Sequence, residues 1–221
     1  MRHRIGIIPA AGMASRLQPL PHSKEVLSVR GRPVMDFLVE RMEAAGCTEI
    51  RVVTRPQKTD VAARAAALGA TVVIGEPGTV GRSIALGLSG IPEDATVLLG
   101  FPDTLWEPPD GFVTLLGALQ EGVDAVLGLF TTDEAERSDV VVRASGDRVE
   151  RILVKPPEPP SNVIWGCAVA RAAAIRGIDA VEQPGELFDR LARRGRVRGV
   201  YLSDSWLDIG TKEALARARR Q

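Results

Sequence analysis

Residues 4–24 read RIGIIPAAGMASRLQPLPHSK, an apolar run that passes directly into a turn of small residues and then reaches two cations. The run predicts a strand over Arg4 to Pro9, since buried strands of parallel sheets are apolar on both faces. The small residues 10–12 let the backbone come close to a ligand, and their N–H groups can point at anionic oxygen. Arg16 and Lys24 add fixed positive charge. This order of parts is typical of a phosphate-binding loop.

Short apolar runs alternate with amphipathic segments over the first 130 residues, which predicts repeated β-α-β units. Further strands are predicted at Glu49 to Thr54, Thr71 to Ile74, Thr96 to Leu99 and Ala125 to Leu129. Helices are predicted at Pro33 to Ala45, Lys58 to Leu68, Val80 to Leu88 and Gly111 to Gln120. The expected fold class is α/β, a three-layer α/β/α sandwich with a Rossmann-like, mostly parallel sheet. Ligands of such sheets bind at the carboxyl ends of the strands.

The pattern changes after Phe130. Strands predicted at Asp139 to Arg143, Arg148 to Lys155 and Val163 to Ala170 surround a turn, and we expect them to form a small antiparallel insertion. The remainder predicts a helix over Gly185 to Gly195, a strand over Arg198 to Leu202 and a helix over Lys212 to Arg220. We expect one domain over residues 1–221.

The composition is that of an ordinary globular protein, with 28 acidic and 28 basic residues among 221. This balance provides no global field that attracts nucleic acid or an anionic membrane, so neither is expected as a partner. The basic start of the chain imitates a signal peptide, but Pro9 and Gly12 interrupt the apolar run, and we expect a cytoplasmic protein. Cys47 and Cys167 are expected to be small buried thiols.

Lysine is scarce, because only four of the 28 basic residues are lysines. Where arginine is the default cation, a lysine suggests that a compact ammonium group was needed. This makes Lys24 and Lys155 candidates for phosphate contacts. Lys58 and Lys212 lie in helix-like contexts and are expected at the surface.

Two aspartates are expected at strand ends. Asp103 follows the strand that begins at Thr96, and Asp208 comes just before the closing helix. Magnesium in nucleotide enzymes takes one or two carboxylates and completes its shell with phosphate and water oxygens. Each aspartate could instead be a turn or cap residue. Together with the phosphate loop, however, they predict a Mg²⁺ site.

Six short motifs span nearly the whole chain: Ala10-Ala11-Gly12-x-x-Ser15-Arg16-Leu17, Pro21-x-x-Lys24, Gly31-Arg32-Pro33-Val34, Phe101-Pro102-Asp103, Val154-Lys155-Pro156 and Trp206-Leu207-Asp208-Ile209-Gly210-Thr211. They occur in the order seen in sugar-1-phosphate nucleotidyltransferases. In this respect the sequence resembles glucose-1-phosphate thymidylyltransferases and short N-acetylmuramate-1-phosphate uridylyltransferases.

The resemblance implies an enzyme that joins a nucleoside triphosphate to a sugar 1-phosphate and releases pyrophosphate. It implies a nucleotide-binding half at residues 1–130 and a sugar-phosphate-binding half at 131–221, in a monomer or small homo-oligomer. Arg16, Lys24 and Lys155 would be catalytic, and Asp103 and Asp208 would bind Mg²⁺. The remaining candidates are Ala10, Ala11, Gly12, Glu76 and Gly81 for the nucleotide, and Asp139, Val154 and Gly166 for the sugar.

Four residues depart from the family pattern. Ala14 replaces a loop glycine, which matters if its φ angle is positive. Glu76 replaces a glutamine that reads the base. A carboxylate can accept a hydrogen bond from a base N–H but cannot donate one to a carbonyl, so the preference for the base could change. We favour dTTP or UTP, and CTP is possible. Asp139 and Val154 differ from the glycine and glutamate expected around the sugar, so the acceptor could also be another phosphorylated alcohol.

Two other classes of protein remain as alternatives. A dinucleotide-dependent dehydrogenase would share the first strand and turn. However, only one glycine of the G-x-G-x-x-G pattern is present, and such an enzyme would leave Arg16 and Lys24 without a role. A catalytically silent nucleotide-binding or regulatory relative would explain the departures around the sugar. Retention of both aspartates and both candidate lysines argues against it.

Overall fold

The computed structural model describes residues 3–14 and 17–220 and contains a nine-stranded mixed sheet. Seven strands follow the order β5-β4-β1-β6-β11-β8-β12, and the β9–β10 hairpin attaches to β11 beside β6. The strands of this sheet are β1 (Arg4–Pro9), β4 (Glu49–Thr54), β5 (Thr71–Ile74), β6 (Thr96–Gly100), β8 (Ala125–Thr131), β9 (Asp139–Arg143), β10 (Val149–Val154), β11 (Val163–Arg171) and β12 (Val197–Ser203).

Helices cover both faces of the sheet and confirm the three-layer α/β/α class. The helices are α1 (Val34–Ala44), α2 (Thr59–Ala67), α3 (Val80–Leu88), α4 (Gly111–Ala118), α5 (Pro184–Arg193) and α6 (Lys212–Arg220). Side chains of α1, α2 and α4 share one buried cluster with Ile8, while those of α3, α5 and the 3₁₀ segment Ala172–Ala180 share another with Ile7. Adjacent strand residues point to opposite faces, so the apolar run at the start of the chain supplies both cores.

The expected antiparallel insertion is smaller than predicted. Only β9 and β10 form a separate hairpin, whereas β11 runs between β6 and β8 and is antiparallel to both. The sequence predicts β11 in the insertion because this strand follows two hairpin-like strands. Its burial explains the difference, since seven of its nine residues are buried, as in an interior strand.

A short two-stranded ribbon, which was not predicted, pairs a segment from the first half of the chain with one from the second half. It consists of β7 (Thr104–Trp106) and β13 (Trp206–Asp208), which pair antiparallel with Asp208 opposite Thr104. A second small ribbon contains β2 (Ser28–Val29) and β3 (Arg32–Pro33). Strands of two or three residues carry too little periodicity to be identified from sequence.

Across residues 3–14 and 17–220, no helix combines the length and apolar character needed to cross a bilayer.

Candidate active site

A cleft of about 600 Å³ lies where β1, β4 and β6 end, at the carboxyl edge predicted for the ligand. Residues from both the early and the late parts of the chain border it. Eight of the predicted site residues do so: Ala11, Gly12, Lys24, Asp103, Asp139, Lys155, Gly166 and Asp208. The structure therefore brings together residues that are far apart in sequence.

The other predicted site residues are placed differently. Ala10, Gly81 and Val154 are buried or partly buried outside the cleft lining, and Glu76 is exposed near it. Arg16 lies outside the described residues. The ligand roles assigned to these five residues, and to the eight that border the cleft, stay predictions.

Lys24 and Asp103 form an ion pair in the cleft, with Lys24 Nζ donating to Asp103 Oδ2. Lys24 begins a short 3₁₀ turn, and the preceding Ser23 is tied to Asp60 through its N–H (2.7 Å) and its hydroxyl (2.8 Å). Burial alone would lower the pKa of Lys24, but the charges of Asp103, Glu25 and Asp208 raise it above its ordinary value. Lys24 is therefore a fixed cation in the cleft.

The ribbon of β7 and β13 brings the two predicted metal ligands to the same place. Asp103 immediately precedes β7 and its carbonyl accepts from Ile209 N–H (3.0 Å), while Asp208 ends β13. Asp208 Oδ1 also accepts from Gly210 N–H (2.7 Å), which orients the carboxylate. No cluster of three or more potential protein ligands occurs within the described ranges. Two carboxylates fit Mg²⁺, which keeps waters and substrate oxygens in most of its positions.

The backbone groups of Ala10 are already used inside the protein. Its N–H donates to Val53 O (2.7 Å) and its carbonyl accepts from Lys58 Nζ (2.9 Å). Because the Ala10 N–H is already bonded to Val53, the N–H groups expected to face a phosphate are those of Ala11 and Gly12. The surface position expected for Lys58 is wrong, because Lys58 is 8% exposed and pairs with Glu25.

Ala14 adopts the left-handed region with φ of 51°. An alanine there costs about 1–2 kcal/mol relative to an ordinary conformation. The replacement of the family's loop glycine is thus a strained one. Strain of this kind is commonly stored at ligand-binding sites.

Lys155 and Asp139 also border the cleft, and both lie at the open end of the β9–β10 hairpin. Lys155 follows β10 and has a positive φ of 42°, again an uncommon conformation for a residue with a side chain. Burial raises the pKa of Asp139 to about 6, and the nearby charge of Lys155 opposes the rise. Gly185, at the start of α5, has no side chain to obstruct this carboxyl, since a Cβ would lie 2.2 Å from Asp139 Oδ2.

Val154 and Gly166 shape the wall around Asp139. Val154 is the direct cross-strand partner of Asp139, and its side chain packs toward Gly185. A Cβ on Gly166 would lie 2.6 Å from Trp206 Nε1, so a glycine at this position of β11 leaves room for the Trp206 indole. Trp165 packs edge-on against Phe188, with ring centroids 5.2 Å apart. The two tryptophans are therefore packed wall residues.

Glu76 and Gly81 are the two residues predicted to lie near the base. Glu76 accepts a hydrogen bond from Gln57 Nε2 (2.9 Å) and is exposed. Gly81 lies in the first turn of α3, where a Cβ would come within 2.1 Å of Val181 O and 2.5 Å of Ile178 O. The close packing of α3 against these two carbonyl groups therefore requires a glycine at position 81, whether or not this residue contacts the base.

Three charged residues that were not predicted also border the cleft: Glu25, Arg55 and Arg137. Glu25 is fully buried although it follows Lys24 in a short polar segment. Arg55 follows β4, and its position after a buried apolar strand was the available signal. Its Nε is buried without a hydrogen-bond partner among the described residues.

A model of the MobA-like NTP transferase domain matches residues 6–194 of this chain. Among curated proteins, the low-salt glycan biosynthesis nucleotidyltransferase Agl11 of Haloferax volcanii is 25% identical, and the alignment covers 97% of this chain and 65% of Agl11. The UTP–glucose-1-phosphate uridylyltransferase AglF of the same organism is 25% identical, with 94% and 91% covered. The chain thus spans just under two thirds of the length of Agl11 and most of the length of AglF.

Solved structures with the same fold are also similar over their whole length. A Bacillus anthracis protein described as a glucose-1-phosphate thymidylyltransferase, crystallised with sucrose, superposes with a TM-score of 0.86 at 20% identity, covering 98% of this chain and 94% of the other. A UDP-glucose pyrophosphorylase complexed with UDP-glucose gives a TM-score of 0.81 at 16% identity, with 100% and 98% covered. At these identities the likeness shows a shared fold.

Proposed function

Because this chain belongs to the MobA-like NTP transferase family, we propose that it joins a nucleoside triphosphate to a sugar 1-phosphate, forming a nucleotide sugar and pyrophosphate. One observation carries the proposal. Gly12, Lys24, Asp103 and Asp208 border the same cleft as Lys155, although they come from opposite ends of the chain. Two sets of phosphate-binding groups facing one volume suit a reaction between two phosphorylated substrates.

The proposed reaction needs no general base, because the phosphate oxygen of the acceptor is already an anion at neutral pH. His3 and His22 are both exposed and neither belongs to the cleft lining. Lys24 would contact the α-phosphate of the nucleotide and Lys155 the phosphate of the acceptor. Their charges would offset the repulsion between the two anions and hold them for in-line attack.

Asp103 and Asp208 would hold Mg²⁺ beside the triphosphate. The ion would supply positive charge to the phosphate oxygens. In the protein alone, Lys24 provides the counter-charge of Asp103. The proposal therefore includes an exchange of partners, in which the Lys24 ammonium turns toward phosphate when the substrates bind.

The base and the acceptor are proposed from the residues that depart from the family pattern. We favour dTTP or UTP, with CTP as a third candidate, because Glu76 can accept a hydrogen bond from a base N–H. The carboxyl of Asp139, beside Val154 and Gly166, would accept hydrogen bonds from acceptor hydroxyl groups. A sugar 1-phosphate satisfies this arrangement, and a phosphorylated alcohol with free hydroxyls would do so as well.

A substrate array tests the proposed function. Purified protein is incubated with Mg²⁺, each of the five common nucleoside triphosphates and a panel of sugar 1-phosphates and phosphorylated alcohols, and pyrophosphate release is measured. We expect release with one base class and a narrow set of acceptors. Nucleotide binding without release for any pair would instead favour the silent regulatory relative, and the absence of nucleotide binding would contradict both.

A further inference from the structure

A buried ion pair that the proposed chemistry does not use lies beneath the loop that follows β1. Lys58 Nζ is 2.7 Å from Glu25 Oε1 and donates a second hydrogen bond, of 2.9 Å, to the carbonyl oxygen of Ala10. Glu25 is 0% exposed and Lys58 is 8% exposed. Burial raises the pKa of Glu25 and lowers that of Lys58, and each charge opposes the shift of the other.

This pair joins three segments that meet at the nucleotide side of the cleft. Ala10 follows β1, Glu25 is the neighbour of Lys24 in the 3₁₀ turn, and Lys58 caps the start of α2. The Ser23–Asp60 hydrogen bonds tie the same turn to the first turn of α2. Lys24 is thus held from both sides, by its predecessor in sequence and by its successor.

Stability alone is a weak reason for such a pair. Removing two charges from water costs more than most ion pairs regain, and apolar side chains of similar volume are often at least as stabilising. An apolar pair could not, however, donate a hydrogen bond to the Ala10 carbonyl. That bond restricts the rotation of the peptide unit between Ala10 and Ala11, and therefore the direction of the Ala11 N–H.

We propose that Glu25 and Lys58 are positioning residues for nucleotide binding. Lys58 holds the Ala10 carbonyl so that the N–H groups of Ala11 and Gly12 face the triphosphate. Glu25 holds the Lys58 ammonium, and this fixes the position of the 3₁₀ turn that contains Lys24 relative to the loop after β1. The identity of the ligand as a nucleoside triphosphate rests on the proposed function.

The test compares two double variants. Glu25→Leu/Lys58→Met removes both charges and keeps an apolar volume, which avoids an unpaired buried charge. The matched control is Asp36→Leu/Arg64→Met, because Arg64 Nε donates to the buried Asp36 carboxylate (2.9 Å), joins α2 to α1 and lies outside the cleft lining. Circular dichroism and thermal unfolding establish that both variants fold.

The kinetic readout is the KM for each substrate. We expect the Glu25→Leu/Lys58→Met variant to raise the KM for the nucleoside triphosphate about tenfold or more, and to change the KM for the acceptor less than about twofold. The control should change neither by more than about twofold. An unchanged KM for the triphosphate would show that the pair only stabilises the fold and would overturn the proposal.

A second readout needs no turnover. The Ala10 amide proton is bonded to Val53 O, so its hydrogen exchange measured by NMR reports on the loop, with the Ile8 amide in β1 as reference. We expect exchange at Ala10 to accelerate about tenfold relative to Ile8 in the pair variant and not in the control. Unchanged exchange would overturn the positioning role. Accelerated exchange in a protein whose wild type releases no pyrophosphate would instead overturn the proposed function and leave the positioning role standing.

If the double variant does not fold, Lys58→Met alone serves the same purpose. The pKa of Glu25 is already raised, so this carboxyl can take up a proton when its partner is removed.

Discussion

Lys24 and Asp103, which are 79 residues apart in sequence, form an ion pair between the 3₁₀ turn that Lys24 begins and the segment that follows β6. Each side chain is held by the other in the protein alone. The charges around Lys24 raise its pKa and so keep it protonated, although burial opposes this. In the proposed reaction, this pair would keep a cation in place for a phosphate and a carboxylate in place for a metal ion.

Replacing either member should abolish most turnover. We expect Lys24→Ala and Asp103→Asn each to lower kcat about 10²- to 10³-fold, because each removes a charge aligned with the transferring phosphoryl group. Steady-state pyrophosphate release measures the effect, and circular dichroism confirms the fold. Lys212→Ala, at an exposed position of α6, is the matched control and should be fully active. Full activity of either cleft variant would remove the role assigned to that residue.

Replacing Lys155 by glycine should weaken acceptor binding without lowering the stability of the fold. The positive φ of 42° suits glycine, so Lys155→Gly should leave the melting temperature unchanged or slightly higher, while the KM for the acceptor rises about tenfold. Arg30, with a φ of 50° in the turn between β2 and β3, allows the control Arg30→Gly. The control should keep both KM values. An acceptor KM that is equal in Lys155→Gly and wild type would contradict a phosphate contact.

Asp139 should make stability depend on pH. The native state keeps this proton up to about pH 6, whereas the unfolded chain loses it near its ordinary pKa of 3.8. The native state thus binds more protons between these values, and the free energy of unfolding falls as pH rises from about 4 to 6, by at most about 3 kcal/mol.

Urea unfolding of Asp139→Asn tests this dependence. The variant should equal wild type at pH 4 and exceed it by about 1–3 kcal/mol at pH 7.5, since the amide carries no buried charge. Asp147→Asn, in the exposed turn between β9 and β10, should differ from wild type by less than about 0.5 kcal/mol at every pH. A stability difference that does not change with pH would show that the Asp139 carboxyl titrates normally.

Glu76 should influence the choice of base. Glu76→Gln restores a side chain that can both donate and accept, so we expect the ratio of kcat/KM for dTTP or UTP over CTP to change by about tenfold. Gln57→Ala removes the hydrogen-bond partner of Glu76 but keeps the Glu76 carboxylate. This variant therefore distinguishes an effect of the orientation of Glu76 from an effect of its hydrogen-bonding chemistry. Unchanged ratios in Glu76→Gln would mean that this residue does not read the base.

Two glycines should respond differently to alanine. Gly81→Ala places a Cβ against two backbone carbonyls and should destabilise the protein by about 3 kcal/mol, or about 6–12 °C in melting temperature. Gly12→Ala meets no atom within 4 Å and should fold normally. Its Cβ would instead face the cleft and weaken triphosphate binding. Equal melting temperatures for both variants would show that α3 can shift to accept the extra methyl group.

The elements that could be predicted from sequence are those with a local cause. The bounds of β1, β4, β5, α3 and α6 agree with the predicted ranges, because each is a periodic apolar or amphipathic segment with breakers at its ends. The ribbon of β7 and β13 could not be found in this way. Its strands are three residues long and more than 90 residues apart, so only their mutual pairing defines them.

The α/β class, the candidate phosphate loop after β1 and the candidate lysines and aspartates could be predicted from local sequence, since these depend on residue type and short-range spacing. Tertiary structure alone decided that Asp103 and Asp208 meet through a ribbon, that β11 is an interior strand, and that Lys58 is buried beneath Ala10. The physical reason is burial. Whether a charged side chain is solvated or paired depends on which distant segments exclude water from it, and no local pattern contains that information.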